Sequence, residues 1–228
     1  MLSYRKLAMR VLGRPLHTGG GSDSPRPASQ RAAALVLTAA MLTTLTAPAF
    51  AETWDIEKGD ITVKAGDEGT NNVKQGDNDF VKDEGDTVIT GESKENTVTI
   101  DTSKGNVDVT FDDLKIDASD KDEAAVRVEG NGDATIELDG KNELKSGGYN
   151  AGLEKDGHEA EGTLTIKDDK GKDGSLTAEG GAGGGAGIGG GMESTGSNIK
   201  ITGGTIEAVG GAGAAGIGGG VYLSLIHI

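Results

Sequence analysis

"TIEAVGGAGAAGIGGG", residues 205–220, sets a β-prone run against a block of glycine and alanine. Within it, Gly211–Gly216 spells GAGAAG, the G-x-G-x-x-G/A fingerprint of dinucleotide-binding folds. Such a site requires a helix whose N-terminus holds the pyrophosphate, and an acidic residue about 20 positions further on. Neither follows. The segment Gly180–Gly191 has the same composition and leads into another alternating run, "NIKI" (198–201), rather than a helix. A P-loop is excluded as well, because no Gly-Lys-Ser/Thr follows these glycines. The fingerprint is low complexity, and what it marks is a repeat.

The repeat extends backwards through the chain. "SLTAEGGAGGGAGIGGG" (175–191) aligns with 205–220, placing Leu176 on Ile206 and Ile188 on Ile217. One apolar series runs Val73, Ile100, Val126, Leu153, Ile188, Ile217; a second runs Ile61, Ile89, Ile116, Leu144, Leu176, Ile206. A third runs Val81, Val109, Ile136, Leu164, Ile199, and "NAGL", "GAGI" and "AAGI" close the last three members of the first.

Each series sits in short alternating runs such as "VDVTF" (107–111), "ATIEL" (134–138) and "TLTI" (163–166). A period of two with β-branched residues is a strand with one buried face. Clusters of Gly, Asn and Asp separate the runs, as turns require. Three short strands per repeat predict an all-β chain, a right-handed parallel β-helix solenoid of about six coils of 27–35 residues. A β-sandwich also uses many short strands, but needs no fixed period.

Charge and export signals bound the function. Residues 1–31 carry six basic side chains and one acid, and "AAALVLTAAMLTTLTA" (32–47) leads to Ala49-Phe50-Ala51. That three-part pattern predicts a signal peptide over 1–51, hence a secreted or cell-surface protein. The expected β-domain covers 52–222, and "LSLIHI" (223–228) departs from its register and reads as a non-native tail. Residues 52–228 carry 16 Lys+Arg against 36 Asp+Glu, a net charge of −20. Such a surface repels nucleic acid and anionic membranes, and favours cations or basic partners. The chain holds no cysteine, so an exported fold must rest on backbone pairing and burial.

Candidate chemistry is sparse. Asp112 and Asp139 follow strands at one 27-residue phase and should stack, which either binds a calcium ion or leaves two solvated turn residues beside Lys115 or Lys141. Carbohydrate stacking needs exposed rings, and Tyr149 and Trp54 are the candidates, although both could equally be packing residues, Trp54 in an N-terminal cap. A lyase or glycosidase needs a base, an acid or an opposed carboxylate pair, and none stands out among so many acids. His158, in "EKDGHEAEG", reads as a loop residue. No catalytic residue is assigned.

The runs "WDIEKGDITV", "ITGESKENTVTID", "ATIELDGKNELKSG" and "GIGGG…NIKITGGTIEAVGG" resemble a family of exported bacterial repeat proteins. Its members are described as carbohydrate-binding-domain-containing surface proteins of Gram-positive bacteria, and the resemblance covers residues 53–220. It implies a parallel β-helix, a polysaccharide or cell-wall glycan as partner, calcium as a cofactor in some members, and further domains downstream. The functions to be weighed are a non-catalytic glycan-binding or adhesive protein, a stalk that spaces another domain from the wall, and a lyase-like enzyme.

Overall fold

The computed structural model describes residues 52–155, 161–171 and 173–222. The expected signal peptide, His158 and the 223–228 tail lie outside the described residues. From the N-terminus the strands are β1 (Thr53–Asp55), β2 (Ile61–Ala65), β3 (Asn71–Gln75), β4 (Val81–Asp83), β5 (Thr87–Ser93) and β6 (Val98–Asp101). The middle supplies β7 (Val107–Asp117), β8 (Val126–Glu129), β9 (Ala134–Asp139), β10 (Lys141–Lys145) and β11 (Leu153–Lys155). Then come β12 (Leu164–Lys167), β13 (Ser175–Glu179), β14 (Ile188–Gly189), β15 (Ile199–Ile201), β16 (Thr205–Val209) and β17 (Ile217–Gly218). Helical structure among the described residues is confined to two 3-10 turns, Ile56–Lys58 and Asp67–Gly69.

The chain is all-β, but the expected right-handed β-helix solenoid of about six coils is corrected. The strands gather into two sheets: a nine-stranded parallel sheet curled into a half-barrel, and an eight-stranded mixed sheet. The curl originates in β7. Its first half pairs with β9, its last residues pair with β10, and β5 lies along its other edge with an irregularity between Thr90 and Glu92. The bend falls where Asp113 has φ +49° and Gly140, between β9 and β10, has φ +59°. Buried Asn142 braces this corner: its Oδ1 accepts from Leu114 N at 2.9 Å, and its Nδ2 donates to Asp139 O and Ser175 O.

The second sheet runs β17-β14-β11-β8-β6-β2-β3-β4, and its N-terminal end is antiparallel. The connection from β2 to β3 spans only Gly66–Thr70, closed by Gly66 N to Thr70 O (2.8 Å) and Thr70 N to Asp67 O (3.1 Å). A parallel return needs a dozen or more residues, so this short link forces a hairpin. Val73 therefore faces Val63 and Val81 faces Val73, and neither joins the parallel series in which sequence spacing placed it.

Part of the spacing appears as register: Val126, Leu153, Ile188 and Ile217 stand opposite one another in successive strands, as do Val109 and Ile136, Leu164 and Ile199, and Leu176 and Ile206. Other links of the series fail: Ile136 faces Ile166, Leu144 faces Ala178, and Ile89 faces Phe111 rather than Ile116. Inward residues of both sheets form one aliphatic cluster around Phe111, with Trp54, Ile199, Ile206 and Ala208 packed at its margin. The small-residue signature has a steric cause. A Cβ on Gly187 would lie 2.6 Å from Val209 N and 2.7 Å from Gly216 O, and one on Gly152 2.8 Å from Glu179 N. Only glycine lets the backbones of the two sheets approach so closely.

Candidate functional site

The turn after β10 carries Tyr149, an exposed aromatic residue. Buried Ser146 opens the turn, its Oγ accepting from Ala125 N and donating to Ala151 O, both at 2.7 Å. Gly148 takes φ +55°, and Asn150 N returns to Gly147 O. Neighbouring segments then fix the backbone: Gly183 N donates to Gly148 O (2.8 Å), Gly181 N to Asn150 O (2.9 Å) and Met192 N to Tyr149 O (2.8 Å). A side chain at Gly183 would collide with Tyr149 Cδ1, so glycine there lets the chain pass beneath the ring. The residue stays 52% exposed.

Tyr149 stands on a cleft of roughly 590 Å³ with Asp120, Lys121, Asp122, Lys145 and the backbone of Gly180 and Gly183. The volume lies in the range of small-ligand sites. Lys121 pairs with Glu95 (3.4 Å), and Lys145 with Glu179 (3.8 Å). Near the cleft, Ser119 donates its hydroxyl to Asp117 Oδ1 at 2.6 Å. That bond, against a smaller opposing effect of burial and with help from Ser119 N and Lys145, holds Asp117 below the ordinary carboxylate value. A flat ring beside carboxylates, ammonium groups and bare glycine backbone can stack on a C–H face and hydrogen-bond hydroxyls.

Trp54 does not join it. The indole is half-buried against the core, and its Nε1 donates to Asp83 Oδ2 at 3.2 Å. Asp83 is fully buried and also accepts from Thr87 Oγ1 (2.9 Å) and Gly85 N (3.1 Å). Trp54 thus holds the β1–β4 region together.

Asp112 and Asp139 stand opposite each other across β7 and β9. Neither carboxylate forms a hydrogen bond or ion pair among the described residues; the backbone N–H of Lys141 goes instead to Asp113 Oδ1 (2.8 Å). Burial, then the charges of Asp139 and Asp113, raise the Asp112 pKa. Among the described residues, no group of three or more His, Asp or Glu side chains is placed to hold a metal ion.

A second cleft, about 390 Å³, lies on the outer face of β7, β9 and β12, beside Thr110, Thr135, Thr165 and Glu137. Glu137 was not singled out in the sequence, because alternation in "ATIEL" assigns it to solvent. It is instead buried. The segment after β12 folds over it, so that Oε1 accepts from Asp169 N and Lys170 N, both at 2.7 Å, and Oε2 lies 3.2 Å from Lys167 Nζ. Burial pushes this carboxyl up, but the two N–H groups and Lys167 outweigh it and hold it below the ordinary value. Lys170 reaches on to Asp86 at 2.6 Å. The Gly- and Asp-rich run "KDDKGKDG" (167–174) was the only sequence signal of a turn there.

Among the described residues no helix is long and apolar enough to cross a membrane. No protein-family model, curated protein or solved structure matches the chain.

Proposed function

We propose that the chain is a non-catalytic, extracellular polysaccharide-binding or adhesive protein whose glycan contact is the Tyr149 cleft. The observation that carries this reading is half-exposed Tyr149, whose backbone is held on both sides by backbone bonds and whose ring lies against Gly183 beside polar groups. Holding the backbone of this turn in advance reduces the ordering cost of binding. The net charge of −20 over residues 52–228 favours a neutral or amino-bearing glycan over a polyuronate. Calcium assistance would act through Asp112 and Asp139, where a cation relieves the repulsion of facing carboxylates.

A glycan array probed with the purified protein, with calcium and with EDTA, tests the reading. Binding to a neutral glycan that Tyr149→Ala abolishes supports it, and loss in EDTA adds the calcium role. Absence of binding to every glycan leaves the stalk reading. Release of unsaturated oligosaccharides from pectin would replace both with a lyase.

A further inference from the structure

The outer face of the curled sheet carries a further cleft, of about 350 Å³, beside the Tyr149 cleft. β10 ends at Lys145, which lines both clefts, and the chain then enters the turn that holds Tyr149. Parallel register lays the floor in rows. Glu92, Lys115, Glu143 and Thr177 stand side by side on β5, β7, β10 and β13, and Asp117, Lys145 and Glu179 form the next row. Four strands about 4.8 Å apart make the longer row roughly 14 Å long. Ile116, Leu144 and Ala178, which alternate with these residues, are buried in the core, so both rows face outward.

Rows of alternating charge can close into ion pairs that only brace a sheet. Here they stay open. Lys115 stands between Glu92 and Glu143 and, among the described residues, forms no hydrogen bond or ion pair with either; Lys94 at the rim forms none as well. The pair that does form on the floor is Lys145 with Glu179, at 3.8 Å. The cleft therefore presents ammonium donors and carboxylate acceptors that no described residue satisfies. Sugar hydroxyls both donate and accept, and complement such a mixture. A polyanion does not, because Glu92, Asp117, Glu143 and Glu179 outnumber Lys94, Lys115 and Lys145.

We infer that the two clefts are one groove, and that its ligand is a neutral oligosaccharide several units long rather than a single sugar. The inference rests on Tyr149 as the glycan contact. One unit stacks on Tyr149, and the units that follow pass Lys145 and hydrogen-bond Glu143, Lys115 and Glu92 across the strands. A chain that fills both clefts adds contacts without a second loss of overall freedom, so affinity rises with length.

Calorimetric titration of chito-, cello- and manno-oligosaccharides, dimer to hexamer, into the full chain tests this. In the series that binds, affinity should rise about tenfold or more from dimer to hexamer. Lys115→Met and Glu143→Ala should remove most of that rise and weaken the dimer far less, whereas Tyr149→Ala should weaken both. A longer chain also offers more registers to a single cleft, but that gain would survive Lys115→Met and Glu143→Ala. Methionine keeps the apolar stem of half-buried Lys115, and Glu143 is exposed, so Glu143→Ala decides alone if Lys115→Met fails to fold. Equal affinity for dimer and hexamer, or variants that bind the hexamer as the wild type does, would overturn the groove and leave the Tyr149 cleft as the whole site. Binding of no oligosaccharide would remove the Tyr149 reading and the groove together.

Discussion

Ile188 is completely buried, and Ile217, which faces it in the parallel register of β14 and β17, is nearly half exposed. The two are equivalent in sequence and unequal in environment, because a strand stacks beyond the first and none of the described residues stacks beyond the second. Ile188→Ala should cost about 2–5 kcal/mol, and Ile217→Ala well under half as much. Urea unfolding of the two variants measures the difference.

The glycine signature gives a similar contrast. Gly187 and Gly216 hold the same place in "GAGI" and "AAGI", yet a Cβ on Gly187 meets three backbone atoms within 2.8 Å, whereas on Gly216 only Ala208 O is that close. Gly187→Ala should therefore destabilise by about 1–3 kcal/mol or more, since backbone on both sheets must move, and Gly216→Ala by less. Thermal melts of the pair decide it.

Asp112 carries a pKa raised by burial and by Asp139 and Asp113. A raised carboxyl favours the folded state when protonated, so this contribution is present below the ordinary aspartate range and is lost as pH rises through the folded value. At neutral pH the ionised group opposes folding. Asp112→Asn should raise the melting temperature at pH 7, with the gain vanishing in acid. If calcium bridges Asp112 and Asp139, adding it should raise the wild-type melting temperature and leave the variant unchanged.

Glu137 behaves in the opposite sense. Its lowered pKa contributes stability that is present above the ordinary glutamate range and is lost as pH falls through the folded value. Lys167, raised by its bonds to Glu137 and Asp169, contributes stability present below the ordinary lysine range and lost as pH rises through its folded value. Glu137→Ala leaves Asp169 N and Lys170 N without their acceptor and should cost about 1–3 kcal/mol. Tryptic cleavage after Lys170 should become faster in that variant at pH 7.

Much of the strand content was legible, because period-two alternation is a local property. Val109 with Ile136 and Asp112 with Asp139 were paired correctly, since their 27-residue spacing matches the true register. Ile100 was aligned with Val126 but faces Val128. A slip of two residues keeps every side chain on its face, so alternation cannot detect it. The same alternation does not distinguish parallel from antiparallel pairing, which is why Val73 and Val81 were assigned to a uniform stack. The short Gly66–Thr70 link was the available clue. Trp54 and Tyr149 were indistinguishable as candidates until their environments were known: one reaches buried Asp83, 29 residues away in sequence, and the other rests against Gly183. Contacts of that range leave no mark in local composition.

If Tyr149 is the stacking platform for a glycan, calorimetric titration of the best array ligand into wild type, Tyr149→Phe and Tyr149→Ala tests it most directly. Phenylalanine should retain affinity to within a few-fold, because the ring face is kept. Alanine should lose about tenfold or more. Equal affinity for the alanine variant and the wild type would contradict it.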